Sequence, residues 1–227
     1  MRLAKPHLDV GLFTTNEHAM LEFWQQAVGL PFAETLPLGG GVRQHRHKMN
    51  GSVLKLNAAR DPLNDAPPSG YRELLIARQG ITEPRRLVDP DGNRVVLVPH
   101  GEDGVTGIAV RLGIRDIESH ARFYAEAMQF EPSGEARFRC GDSLLIVEQD
   151  AGARRTEPIR APGYRYLTVQ VWDVDAEHAG IIERGGGEGR PPVTLGTTAR
   201  VSFVRDPDGN WIEVSQRASL TGSLPSA

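Results

Sequence analysis

Cysteine is almost absent from this 227-residue chain: Cys140 stands alone, so no internal disulfide can form, and neither a CxxC redox pair nor a multi-thiolate zinc site is available. Long apolar runs are missing too, since nowhere do about 18 apolar residues follow one another, as a membrane-spanning helix requires. The opening Met-Arg-Leu-Ala-Lys-Pro lacks the apolar stretch of a secretory leader, and these absences together predict a cytoplasmic protein without membrane contact. No basic field exists either. Lys and Arg number 26 against 29 Asp and Glu, a net charge of -3, and the densest basic run, Arg43 to Lys48, is short and interleaved with histidines. A nucleic-acid partner is therefore not expected. What remains, 39% hydrophobic and 24% charged residues, is the profile of a globular chain long enough for two domains of about 100 residues each.

The chain repeats itself. Asp-Pro-Asp-Gly-Asn occurs at 89 to 93 and at 206 to 210, an offset of 206 − 89 = 117, and each copy feeds a short β-branched run, Arg94 to Val98 and Trp211 to Val214. An amphipathic helix with adjacent aromatics also recurs, Phe23-Trp24 and Phe123-Tyr124, at an offset of 100. The second half thus carries 117 − 100 = 17 more residues between first helix and final turn. That surplus has a visible home. A helix-like segment at 174 to 184 follows the strand near Tyr166, whereas only a short Gly- and Pro-containing stretch, 78 to 84, follows the strand near Tyr71. Four βαβββ-type modules are predicted, near 7 to 60, 71 to 100, 105 to 150 and 164 to 217, the second lacking its helix. Grouped by halves they give domains 1 to 102 and 103 to 217, with a flexible tail at 218 to 227. Which modules pair, within one chain or across a homodimer, stays open.

Strand, helix with Phe-Trp or Phe-Tyr, and a closing strand after Asp-Pro-Asp-Gly-Asn together resemble the vicinal oxygen chelate superfamily, which groups glyoxalase, bleomycin-resistance and extradiol dioxygenase proteins. The resemblance runs from residue 7 to about 216. It implies an α+β fold in which modules pair into two cup-shaped mixed sheets with helices outside, often with a divalent metal in the cup. Metal-using members place a histidine on a module's first strand and a glutamate on its closing strand. Glu213 matches that glutamate. Asp9 stands at the histidine position, with His7 one step away on the same face, while Glu73, Gly107 and Tyr166 occupy the matching positions of the other modules.

Period-2 alternation assigns the faces of each strand. Leu8, Val10 and Leu12 should pack under the helix, leaving His7, Asp9, Gly11 and Phe13 in the cup; Tyr164, Tyr166, Thr168 and Gln170, and then Trp211, Glu213 and Ser215, follow by the same logic. His45 and His47 share one strand face with Arg43 and are candidates for acid and base, with Arg43 an anion-binding group. Cys140, in Arg-Cys-Gly-Asp, carries no activating base nearby in sequence and reads as incidental.

Two functions follow. In one, a small-molecule enzyme such as a lyase, isomerase or dioxygenase holds one divalent ion (Mn, Fe(II), Zn or Mg) through His7 or Asp9 with Glu213, and His45 or His47 moves the proton. In the other, a metal-free protein of the bleomycin-resistance type traps a small molecule between Phe13, Tyr166, Trp211 and Arg43.

Overall fold

The computed structural model describes residues 1–222 and 224. The first module comprises β1 (Leu3–Thr14), α1 (Glu17–Glu22), β2 (Phe32–Gly39), β3 (Val42–Met49) and β4 (Ser52–Ala59). The second is three strands with no helix between them, β5 (Tyr71–Arg78), β6 (Arg85–Val88) and β7 (Arg94–Pro99). In the third, β8 (Ile108–Ile114) leads to α2 (Ile117–Arg122), β9 (Glu131–Pro132), β10 (Arg137–Cys140) and β11 (Ser143–Gln149). The fourth holds β12 (Gly163–Val171), α3 (Val174–Glu183), β13 (Gly187–Leu195), β14 (Ala199–Arg205) and β15 (Trp211–Arg217). Residues 218–221, expected to be flexible, form a helical turn, α4 (Ala218–Thr221); residues 223 and 225–227 of that predicted tail lie outside the described residues.

Local chemistry explains these elements. Asp116 and Asp173 cap α2 and α3, accepting the Ser119 and Ala176 amides at 2.7 and 3.0 Å. Both aromatic pairs open their helices into a π turn, where the Val28 amide donates to Phe23 O at 3.0 Å and the Met128 amide to Phe123 O at 2.9 Å. The extra residue seats Trp24 and Tyr124, both fully buried, under their sheets. Each Asp-Pro-Asp-Gly-Asn is a structural turn. Asp89 Oδ1 accepts the amides of Asp91 and Asn93, Asp206 Oδ1 those of Asp208 and Asn210, and Gly92 and Gly209 adopt φ of 86° and 80°.

Pairing settles the topology. Modules one and four form an eight-stranded sheet in the order β13-β14-β15-β12-β1-β4-β3-β2, and modules two and three a seven-stranded sheet, β6-β7-β5-β8-β11-β10-β9. Each sheet draws one module from either side of the boundary expected near residue 102. Antiparallel seams join them: β1 to β12, with Asp9 opposite Thr168 and Gly11 opposite Tyr166, and β5 to β8, with Glu73 opposite Arg111. Both cups are thus completed within one chain. One apolar core is continuous beneath both sheets, containing Leu8, Trp24, Leu74, Tyr124, Val169 and Val214. The second copy of the turn motif fastens the sheets together: Asn210 Oδ1 accepts the Gly70 amide at 2.6 Å, and Asp206 Oδ2 the Tyr124 hydroxyl at 3.0 Å. No helix among the described residues is long and apolar enough to cross a membrane.

Because β1 finds its sheet partner β12 only in the other half, fragments 1–102 and 103–227 should each be largely unfolded alone. Mixing them should restore the native far-ultraviolet dichroism and a single species in gel filtration. A native-like spectrum from fragment 1–102 by itself would contradict the pairing.

Candidate functional site

The two cups have diverged. In the seven-stranded sheet, Leu75, Val96, Ala109, Leu144 and Ile146 meet in a buried apolar cluster, and the space beside it, about 560 Å³, is lined by charged side chains, among them Arg72, Arg86, Arg94 and Glu148. At its mouth Glu73 is held by Arg111 at 3.1 Å, so that first-strand carboxylate is already neutralised. The eight-stranded sheet leaves more room. Its cup encloses about 780 Å³, lined by Phe13, Gln44, Arg46, Lys55, Asn57, Tyr166, Glu213 and Arg217 among others.

The register decides what faces this cavity. On β3, His45 pairs with Leu56 and His47 with Leu54, and both leucines belong to the core under the helix. Residues directly opposite share a face. His45, His47 and Arg43 therefore lie on the helix side and face away from the cavity of the cup, where acid-base chemistry and anion binding were expected of them. Instead they meet polar groups of the α1 segment. His45 Nε2 sits 2.6 Å from Glu17 Oε1, Arg43 pairs with the other oxygen of Glu17, and His47 Nε2 lies 3.1 Å from Gln25 Nε2. The cup side of β3 and β4 carries Gln44 opposite Asn57 and Arg46 opposite Lys55. These four residues were not anticipated, although the alternation Leu54-Lys55-Leu56-Asn57 contained the signal.

On β1 the assignment agrees with expectation for Asp9, Gly11 and Phe13. Asp9 lies beneath the floor with its oxygens engaged: Oδ1 accepts from Lys5 Nζ at 2.6 Å and from the Val53 amide at 2.8 Å, and Oδ2 from Gln170 at 3.3 Å. His7 is elsewhere. A register shift between Lys5 and Asp9 carries it to the junction with the other sheet, against Gly51 and 3.7 Å from Asp142. Burial lowers its pKa, partly offset by Asp142. A second shift, between Gly11 and Leu12, turns Tyr164 out of the cup and toward the second module, where its hydroxyl donates to Arg94 O at 3.2 Å. Tyr166 stays inside, its ring lying over Gly11, where any Cβ would meet the ring at 2.1 Å. Cys140 is buried, which pushes its thiol up to about 12 and leaves it inert.

The floor is a hydrogen-bonded set. Lys55 Nζ, 3% exposed, donates to Glu213 Oε2 at 2.6 Å and to Thr168 Oγ1 at 2.8 Å, and Thr168 in turn donates to Glu213 at 2.8 Å. Burial lowers the Lys55 pKa, while the neighbouring Glu213 and Asp9 work against that shift. The Tyr166 hydroxyl accepts from Gln44 at 3.3 Å and Asn57 at 3.2 Å, and burial, then Glu213, raise its pKa, so it stays a proton donor. Toward one end, Arg46 and Arg217 both reach Glu34 Oε1, at 3.2 and 3.3 Å. Toward the other, Phe13, Val42, Ile159, Tyr166 and Trp211 cluster, with Phe203 packed beside them. Trp211 packs behind that cluster and does not line the cavity: Phe203 meets it edge-on at 5.8 Å, and the guanidinium of Arg205 lies 3.9 Å from its ring centre.

A family model described as the Glyoxalase/Bleomycin resistance protein/Dioxygenase superfamily matches residues 108–214. Glyoxalase I from Zea mays superposes with a TM-score of 0.70 at 14% identity, covering 95% of this chain and 92% of that one. The family-model match lies in the second half, and the chain as a whole has the fold of the vicinal oxygen chelate superfamily. A variant of the same maize enzyme gives 0.72 at 14% identity over 95% and 93% of the two chains, and a candidate dioxygenase from Bacillus subtilis gives 0.69 at 12% over 95% and 86%. None of the curated proteins compared matches in sequence. At such identities the likeness speaks for the vicinal oxygen chelate fold, which hosts unrelated chemistries.

A metal does not fit the donors at the expected place. Of His7, Asp9 and Glu213, the first lies outside the cup, the second is saturated, and the third is bonded to an ammonium. Among the described residues, no group of three His, Cys, Asp or Glu side chains is arranged to hold an ion.

His47, fully buried beside Phe32 and Gln25, has its pKa lowered from 6.5 to about 4, first by burial and then by His45. The unfolded chain therefore takes up this proton first, and the stability it supports is complete above pH 6.5 and is lost as pH falls toward 4. Each unit of separation corresponds to about 1.4 kcal/mol. Urea unfolding of wild type and His47→Gln between these pH values should show a shallower acid decline in the variant; parallel curves would refute the assignment.

Proposed function

We propose that the protein is a metal-independent small-molecule binding protein of the vicinal oxygen chelate superfamily, with the cup of the eight-stranded sheet as its site. The observation that carries this reading is the Lys55–Glu213 pair. In the superfamily resemblance, Glu213 stands where a metal-binding glutamate is expected, and here its charge is answered by a buried ammonium fixed through Thr168. A divalent ion at that place would meet Lys55 as a like charge within hydrogen-bonding distance of the same oxygen, a strongly unfavourable contact at low dielectric. The metal-dependent lyase, isomerase or dioxygenase reading loses its ligand set on the same ground.

The cavity suits a ligand. About 780 Å³ is within the range of small-molecule sites, with apolar walls and a few convergent polar groups. Among the described residues no acceptor takes the Tyr166 hydroxyl proton, and Lys55 has a third N–H beyond those given to Glu213 and Thr168. These groups bind and orient a molecule without requiring chemistry of it.

Thermal melts with and without Mn²⁺, Zn²⁺, Mg²⁺ or a chelator should coincide, since only an ion that binds the folded state raises its melting temperature. Lys55→Met should cost about 2–4 kcal/mol in denaturant unfolding by leaving Glu213 without its partner. A metal that stabilises the wild type but not Glu213→Ala would overturn the proposal and restore a metal-dependent reading.

A further inference from the structure

We infer that the ligand of this cup is an organic anion with an apolar, ring-sized body, its head held by Arg46, Lys55 and Arg217 and its body by Phe13, Val42, Ile159 and Phe203; this rests on the cup being the binding site. The strand registers order the cavity lengthwise. Along β3 the cup residues run Val42, Gln44, Arg46; along β15 they run Glu213, Ser215, Arg217, with Trp211 packed behind the apolar end; β1 runs the opposite way, so Phe13 lies beyond Gly11 at that apolar end. Apolar groups thus gather at one end and cations at the other, separated on β3 by four residues, about 13 Å at the usual rise per residue.

Charge at the cationic end is not balanced by the protein. Arg46, Lys55 and Arg217 meet there with Glu213, already given to Lys55, with Glu34, a rim carboxylate whose single oxygen serves both arginines, and with Asp9, already given to Lys5. With the Lys5–Asp9 pair cancelling, three cations against two carboxylates leave an excess of one. Arg46 and Arg217 are buried or nearly so, and the Arg217 pKa is lowered by burial and then by the neighbouring Arg46, as expected of two guanidinium groups facing each other. A carboxylate placed between them would receive planar, paired N–H bonds and remove that repulsion. The same lining also includes Arg160 and Arg190, neither ion-paired among the described residues, with Arg190 5.6 Å from the Phe203 ring centre, so the field over the whole mouth favours an anion. Leu38 and Leu195, 48% and 49% exposed, border the opening from opposite hairpins and would be covered by an apolar body.

The test is titration calorimetry of the full chain with three matched probes, 2-naphthoate, 2-naphthamide and 2-naphthylmethylammonium, on the wild type, Arg217→Gln and Val42→Trp, with Arg46→Gln as a second head variant and thermal melts to confirm folding. Naphthoate should bind at least about tenfold more tightly than the amide, and the ammonium weakest of all. Arg217→Gln should remove most of the preference for naphthoate while leaving the amide unchanged, and Val42→Trp should abolish both by filling the apolar end. Equal binding of acid and amide, both lost in Val42→Trp, would overturn the anionic class yet leave the cup as the site. Naphthoate binding indifferent to Val42→Trp would place the ligand elsewhere and sink both readings, and no binding by any probe would overturn the inference for ring-sized anions.

Discussion

The antiparallel seam between β1 and β12 is the constraint on which the rest of the site depends. It joins segments whose paired residues lie 150 or more positions apart in sequence, and its register puts Gly11 opposite Tyr166 and Asp9 opposite Thr168. Only a glycine permits that seam, because the Tyr166 ring occupies the space any Cβ would need. With the ring lying flat over β1, its hydroxyl reaches the amides of Gln44 and Asn57, and Thr168 falls beside Glu213 and Lys55. The floor of the cup is thus assembled from four strands of two distant modules. The equivalent seam, β5 to β8, sets Glu73 against Arg111 beside an apolar cluster, so the same module pairing yields one cup with a polar floor and a roomier cavity and one whose smaller cavity is bounded by paired charges.

Much of the fold was legible because its signals are local. The duplicated Asp-Pro-Asp-Gly-Asn turns, the aromatic pairs at the π turns and the alternation of Leu8, Val10 and Leu12 each report on a few neighbouring residues, and each found its place. Module pairing was not legible, since it depends on contacts between segments with no sequence adjacency. The two register shifts in β1 were also invisible, and they account for the displacement of His7 and Tyr164 from the faces that strict alternation assigns.

The histidines of β3 show a different limit. In Val42-Arg-Gln-His-Arg-His-Lys-Met49 polar residues fall on both faces, so periodicity cannot say which side is buried under the helix. The partner strand could: Leu54 and Leu56 are apolar where Lys55 and Asn57 are polar, and a strand's faces are fixed by what lies opposite. Here the surface beneath the helix is itself polar, with Glu17 and Gln25 meeting His45 and His47. An imidazole cluster on a strand is then a buried packing and hydrogen-bonding device, and its chemistry is directed at the fold.

Under the proposed reading, a lysine where a metal would sit changes what a cup of this kind can recognise. A divalent ion offers several open coordination positions and draws in ligands with two adjacent oxygens, whereas an ammonium offers a few N–H donors and a single charge already shared with Glu213. Selectivity then shifts to the remaining walls. Burying Lys55 is tolerable because Glu213 and Thr168 answer it, but the same economy is not available to Arg46 and Arg217, which share one oxygen of a rim carboxylate. Two guanidinium groups on one carboxylate oxygen leave N–H donors to spare, so an anion entering the cup would share with Glu34 the task of answering them.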